Sequence, residues 1–456
     1  MNTSFFGELL QSIAERGRAL IDRGRARYDN PARRTETLVE LCEHLLSGRG
    51  EASGVALARE IIARYESLTT GPRAAFFEAL ATRFGVDRAT LDAAVEAWRT
   101  SSTDESAADL HAAAEPRRQE LLRRLNLAPG GTRALVAMRE QLLRAMSHRS
   151  DLAALDADFV HMFNAWFNRG FLVLRRIDWS SPALILEKII RYEAVHEIEN
   201  WDDLRRRIDP PDRRCYAFFH PALVDEPLIF VEVALTAGVP DAIAPILSAE
   251  RESVSPDTAT TATFYSISNC QRGLAGVSFG HFLIKQVVEE ISREFPKLAN
   301  FVTLSPVPRF AEWLKKERAS EESTIPEEDR AVLAATDTPG WWREEANIAR
   351  LREPMLRAAA NYFLHARGRA RLPYDPVARF HLGNGASLDR LNWPGDLSER
   401  GVQQANGLMV NYRYDLGEIE QNHEAYAEHR TIVASSAVKR LAKPSMELVR
   451  TAGNAL

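Results

Sequence analysis

Thr261-Ala-Thr-Phe-Tyr-Ser-Ile-Ser268, Gln271-Arg-Gly-Leu-Ala-Gly276 and Asn300-Phe-Val-Thr-Leu-Ser-Pro-Val-Pro308 mark out the stretch whose reading decides the fold. The first segment is β-branched and aromatic, as strands are. The second is a tight loop of small residues, and Val277 to Phe295 then has helical periodicity before the third segment closes the unit as a second strand. A loop that points backbone N–H groups outward at a helix N-terminus makes an anion site, carrying roughly half a positive charge. A bulky anionic cofactor is the natural guest of such a unit.

Working outward, the chain of 456 residues is long enough for two domains. It is 45% apolar with a net charge of −5, from 58 basic and 63 acidic residues, which describes an ordinary globular protein. Without a basic excess, nucleic acid is a poor candidate partner. Cys42, Cys215 and Cys270 are few, scattered and odd in number, fitting neither a disulfide framework nor a paired-cysteine zinc site. A reducing cytoplasm is the expected location. Phe5 to Arg25 carries Glu8, Glu15 and Asp22 among its arginines, unlike a transit peptide. No apolar run approaches the roughly 20 residues of a membrane span, so no membrane partner is expected.

From residue 1 to about 166 the pattern is helical, with Leu38, Leu41, Leu45 and Leu46 on one face and Val55, Ala58, Ile61, Ile62 and Tyr65 on the next. These residues predict an all-α N-terminal bundle, with packing and subunit contact as its ordinary role. From 167 to 456 the texture is mixed. Phe171-Leu-Val-Leu174 is strand-like, and Ser181-Pro182 caps a helix over Ala183 to Tyr192. Arg213 to Phe219 and Pro227 to Leu235 predict an antiparallel hairpin. Beyond Pro308 the pattern predicts helices over Phe310 to Arg318 and Glu344 to Arg367, then Gly407 to Tyr414 and a closing helix over Ile419 to Leu441.

A hairpin, a strand, a loop of the form x-x-Gly-x-Ala/Gly and a helix resemble the acyl-CoA core of the GNAT superfamily. Gly273 and Ala275 take the small positions, and Cys270 stands where that motif usually has Gln or Arg. The wider sequence is similar to the malonyl-CoA decarboxylase family. The resemblance is carried by Phe264-Tyr-Ser-Ile-Ser268, Gly273-Leu-Ala-Gly-Val277, Phe282-Leu-Ile-Lys285, Arg293-Glu-Phe-Pro296, Leu304-Ser-Pro-Val-Pro308, Arg213-Arg-Cys-Tyr216, Phe380-His-Leu382, Asn384-Gly-Ala386, Asn392-Trp393 and Asn411-Tyr-Arg-Tyr414. These motifs run in order from about residue 160 to 415. The resemblance implies an α+β GNAT-like domain with a mixed central sheet behind a helical oligomerisation domain, with a homotetramer favoured. It also implies conversion of malonyl-CoA to acetyl-CoA and CO2, with CoA as part of the substrate and neither metal nor separate cofactor.

Loss of CO2 from a malonyl thioester sends the electrons of the breaking bond into the carbonyl, and the resulting enolate must be protonated at carbon. The site therefore needs donors for the enolate oxygen, a group that turns the carboxylate out of the carbonyl plane, and a proton source. One preorganised oxyanion donor is worth about 3 kcal/mol. His381 is the expected proton donor because imidazole changes charge near neutral pH. Taken alone, Ser305 is a turn residue. The family's serine and histidine pair map onto Ser305 and His381, which implies that Ser305 binds the carboxylate or relays a proton, not that it is an acyl nucleophile. Ser266 and Tyr414 are supporting candidates, against a strand serine facing a neighbour and a half-buried tyrosine.

Gln271, Arg272, Gly273, Ala275, Gly276, Val277, Ser278, Phe279, Gly280 and His281 are the expected CoA contacts, the small residues letting backbone approach the pyrophosphate. Arg272, Lys285 and Arg293 either meet phosphate or are simply solvated. His423 and His429 lie six apart, which does not put them on one helical face as ligands. Two other readings stay open: an acyltransferase on the same core, needing an added acceptor, and a non-catalytic acyl-CoA sensor.

Overall fold

The computed structural model describes residues 31–442 except 48–49, 278, 280–282 and 369–370. Its contacts divide into two units. One runs to Leu172 and takes in His220–Val224 and Gln271–Phe279, while the other holds Val173–Phe219, Asp225–Cys270 and the chain from Gly280 onward.

In the first unit, helices from Pro31–Leu46 to Ala153–Trp166 pack on a core of Leu38, Ile61, Phe76, Leu121, Leu135 and Phe159, each 0% exposed. The face of Pro31–Leu46 is centred on Leu38, Val39, Cys42 and Leu45, while Leu41 and Leu46 lie at its margin. Side-chain caps mark the breaks between helices. Asp87 accepts the Thr90 N–H, and Thr103 and Ser106 form a reciprocal capping box. Gly130, at φ 76°, and Gly131, where a Cβ would fall 2.3 Å from the Leu125 carbonyl oxygen, open the helix Gly131–Met146.

The second unit is built on a mixed sheet, as the sequence predicts. β1 (Val173–Ile177), β2 (Arg213–Phe219), β3 (Pro227–Thr236) and β4 (Thr261–Asn269) form an antiparallel run. β5 (Asn300–Thr303) then pairs parallel to β4 after the crossover helix Leu283–Glu294. β6 (Ser305–Pro306), β7 (Ser387–Asn392) and β5 all pair antiparallel with β8 (Met409–Arg413). β2 and nearly all of β3 are buried, hence their largely apolar sequences, broken only by Arg213 and Arg214 at the start of β2, Glu232 within β3 and Thr236 at its end.

Several boundaries differ from the sequence reading. β1 begins at Val173, because Phe171 closes a 3₁₀ turn whose Asn168 side chain accepts the Gly170 N–H. The crossover helix begins at Leu283 among the described residues, and Val277 lies outside it. The closing helix is two helices, Ile419–His429 and Ser436–Leu441, interrupted at Arg430 by a left-handed φ of 56°.

The feature that positions the site is a parting of strands. The parallel β4/β5 ladder ends at Phe264 and Thr303, with one further bond from the Leu304 N–H to the Phe264 carbonyl. β4 continues along β3, whereas the chain after Thr303 turns to β8. Opposite Glu232, β4 also bulges at Tyr265. A bulge at such a point re-aims side chains.

Candidate active site

Ser305 stands where the strands part, 5% exposed, on β6. His381 comes from the last turn of the helix Pro376–Gly383, which Asp375 caps by accepting the Ala378 N–H at 2.8 Å. That helix must stop at once to leave His381 in place. Gly385 does this at φ 82°, where a Cβ would fall 2.2 Å from the Ile419 carbonyl oxygen. Tyr414 follows the end of β8, with its N–H bonded to the Phe301 carbonyl.

These three residues, 76 and 33 positions apart in sequence, form one hydrogen-bonded chain. Ser305 Oγ lies 3.2 Å from His381 Nε2, and His381 Nδ1 lies 2.8 Å from the Tyr414 hydroxyl. Ser305 Oγ also donates to Thr303 Oγ1 at 2.9 Å, which accepts the Tyr412 N–H at 3.1 Å. The direction of the chain follows from satisfaction of buried donors. If Nδ1 carried the proton, the buried Tyr414 O–H would have no acceptor among the described residues. Tyr414 therefore donates to Nδ1, and the Nε2–H faces Ser305.

The charge state of His381 corrects the sequence reading. Its ring stacks on Tyr412 at 4.5 Å between centroids and touches Phe380 edge-on. Burial lowers its pKa to about 3, outweighing the favourable end of the helix dipole. His381 is thus a neutral N–H donor at neutral pH, not an imidazolium. Burial likewise pushes the Tyr414 hydroxyl well above its usual range, keeping it protonated.

Ser266 is held elsewhere. Its hydroxyl meets both Glu193 oxygens at 2.8 and 2.7 Å, and the Val195 and His196 N–H groups donate to Glu193 Oε1, each at 2.7 Å. Its bonds go to this group rather than to Ser305, His381 or Tyr414. With its proton given to a carboxylate, Ser266 Oγ has only acceptor capacity left for a ligand.

Glu232 faces Ser266 across β3 and β4, fully buried, with Arg207 Nη1 at 3.3 Å. Burial, then the Glu193 charge, pushes its pKa up to about 8 from 4.5. Folded protein thus holds this proton where unfolded chain has lost it. The stabilisation is complete below about pH 4.5 and is lost as pH rises through about 8. Glu232→Gln is expected to flatten the fall in Tm over that window; an unchanged slope by calorimetry would reject the assignment.

The expected CoA loop is described over Gln271–Val277 and at Phe279; Ser278, Gly280 and His281 lie outside the described residues. Gly273 is small for a different reason than the sequence suggests. A Cβ there would fall 2.0 Å from the Val136 carbonyl oxygen, so the loop rests on the helix Gly131–Met146. Gly276, exposed at φ 77°, has nothing within 4 Å of its Cβ position. Lys285 pairs with Glu420 and Arg293 with Glu290. Cys42, Cys215 and Cys270 are buried free thiols whose pKa values burial drives upward, so none is a reactive thiolate. No helix among the described residues is long and apolar enough to cross a membrane.

Sequence reasoning missed Thr303, Glu193 and Asn411. Thr303 is signalled only by sharing a strand face with Ser305 at i and i+2. Asn411 donates to the Thr303 carbonyl at 2.6 Å and accepts from Asn392 at 2.8 Å, pinning β5 to β8 where their ladder is one residue pair long.

Residues 170–452 match the family described as malonyl-CoA decarboxylase C-terminal domain, and 84–167 match malonyl-CoA decarboxylase N-terminal domain. The mitochondrial malonyl-CoA decarboxylase of Anser anser anser is 37% identical over 349 residues, covering 71% of this chain and 69% of that protein. The Mus musculus protein of the same description is 36% identical over 351 residues, covering 72% and 71%. The crystal structure of malonyl-CoA decarboxylase from Rhodopseudomonas palustris is 60% identical with a TM-score of 0.87, covering 89% of this chain and 99% of that one. That from Agrobacterium vitis is 55% identical with a TM-score of 0.85, covering 90% and 100%.

Proposed function

Since the chain belongs to the malonyl-CoA decarboxylase family, and so converts malonyl-CoA to acetyl-CoA and CO2, we propose that the Tyr414–His381–Ser305 chain delivers the proton that completes the reaction. The observation that carries this is the buried hydrogen-bonded line from the Tyr414 hydroxyl through both His381 nitrogens to Ser305 Oγ.

On substrate binding the Ser305 hydroxyl rotates from Thr303 Oγ1 to donate to the malonyl carboxylate, holding it out of the carbonyl plane so that the breaking C–C bond overlaps the thioester π system. CO2 leaves, and its electron pair becomes the enolate. The α-carbon of a thioester enolate is more basic than either imidazolate or alkoxide, so once CO2 has left the Ser305 Oγ–H passes to the α-carbon as Oγ takes the Nε2–H of neutral His381. Tyr414 gives its proton to Nδ1 in the same movement, and solvent restores the phenol as product leaves. Burial serves this by excluding water from an intermediate that must be protonated at carbon. Ser266, with its proton held by Glu193, supports the substrate as an acceptor. Loop residues Gln271–His281 hold the CoA phosphates, with the outward backbone at Gly276 as the supporting observation.

Assembly as a homotetramer through the helical unit and a cytoplasmic location belong to the same proposal. For the chemistry, the test is turnover of malonyl-CoA in D2O with no added acceptor. The expected product is acetyl-CoA with one deuterium at the methyl carbon. Product that appears only when an amine is supplied would favour the acyltransferase reading instead.

A further inference from the structure

We infer that Arg139, on the helix Gly131–Met146, is a positioning residue for substrate affinity: it holds the loop 271–277 in the form that offers an outward peptide N–H to the CoA phosphates. This rests on the reading of that loop as the CoA-phosphate cradle.

Arg139 is 2% exposed, and its Nη1 donates to the Gly273 carbonyl at 2.7 Å and the Ala275 carbonyl at 2.8 Å. Its Nε donates to Asp156 Oδ1 at 2.8 Å, which fixes the plane of the guanidinium. A planar fork anchored this way sets the direction of both carbonyls at once. In a trans peptide the N–H points opposite the carbonyl. With the Ala275 carbonyl turned in to Arg139, the Gly276 N–H is turned out. The N–H groups of Leu274, Ala275 and Val277 are used by the carbonyls of Gln271, Arg272 and Leu274. That of Gly276 has no acceptor among the described residues, and none of their atoms lies within 4 Å of its Cβ position. Peptide dipoles whose negative ends meet a buried cation present their positive ends to solvent, which is how backbone nests take anions.

The close seat of Gly273 on the Val136 carbonyl makes this contact rigid. Nothing in the sequence marks Arg139, which lies 134 positions before Gly273.

The experiment compares two substrates in steady state. Malonyl-CoA carries the phosphates; malonyl-pantetheine keeps the thioester and the carboxylate and has no phosphate. Arg139→Met is expected to raise KM for malonyl-CoA by about tenfold, the scale of a lost charge-assisted hydrogen bond, with kcat little changed. Its kcat/KM for malonyl-pantetheine should match the parent enzyme. An equal loss on both substrates, or no change in KM for malonyl-CoA, overturns the inference. If Arg139→Met fails to fold by thermal unfolding, Asp156→Asn, which loosens the same guanidinium, must raise KM for malonyl-CoA alone. If the parent enzyme turns over neither substrate, the decarboxylase reading fails instead.

Discussion

His381→Asn is expected to lower kcat for malonyl-CoA decarboxylation by about a thousandfold, within the range assigned to general acid–base catalysis, with KM changed far less. The reason is geometric. Asparagine cannot bridge Ser305 Oγ and the Tyr414 hydroxyl, which the two ring nitrogens reach at 3.2 and 2.8 Å, and an amide does not relay a proton. Contacts made by substrate and transition state alike are untouched, so the loss falls on kcat. Some stability is also lost, because the imidazole fills space against Tyr412. Rates should therefore be read on protein whose melting transition is intact. Because His381 is already neutral, with a pKa of about 3, the parent enzyme should show no kcat inflection near the ordinary histidine value. Near-normal turnover of the variant would remove His381 from its role.

Ser305→Ala is the second large effect expected, with kcat reduced by about a hundredfold, the scale of losing one preorganised donor. Alanine leaves Thr303 its bond from the Tyr412 N–H, and β6 keeps its pairing with Val410, so the fold should persist. If Ser305 and His381 act as one unit, the double variant costs little more than His381→Asn alone. Multiplied losses in the double variant would show that the two act independently, with Ser305 confined to binding the carboxylate. A covalent acyl intermediate trapped on Ser305 would overturn the direct route altogether.

Much of the architecture was legible in the chain. Period 3.6 marked the helices found between Pro31 and Trp166, while the part of that reading over residues 1–30 lies outside the described residues; the hairpin of β2 and β3 was visible because both strands are mostly apolar between turns. The β4, loop, helix and β5 unit was readable for the same reason, since local patterning is set by which faces are buried. Boundaries were less legible where a single backbone feature decides them, as at Arg430, whose left-handed conformation divides a helix that periodicity would have run through.

Residue identity and motif order determined which serine, histidine and tyrosine were candidates, and these persist whatever the neighbours. Their chemical state was decided in three dimensions. Desolvation of His381 sums over Tyr412, Phe380 and the packed ends of β6 and β8, and no sequence window contains those neighbours together. The proton of Ser266 is committed to Glu193, 73 positions away. Gly273 looked small for the sake of a phosphate and is small because a helix carbonyl occupies the space of its side chain. A sequence specifies which groups exist and how each segment coils; charge, tautomer and proton direction depend on distances between segments, and only packing sets those.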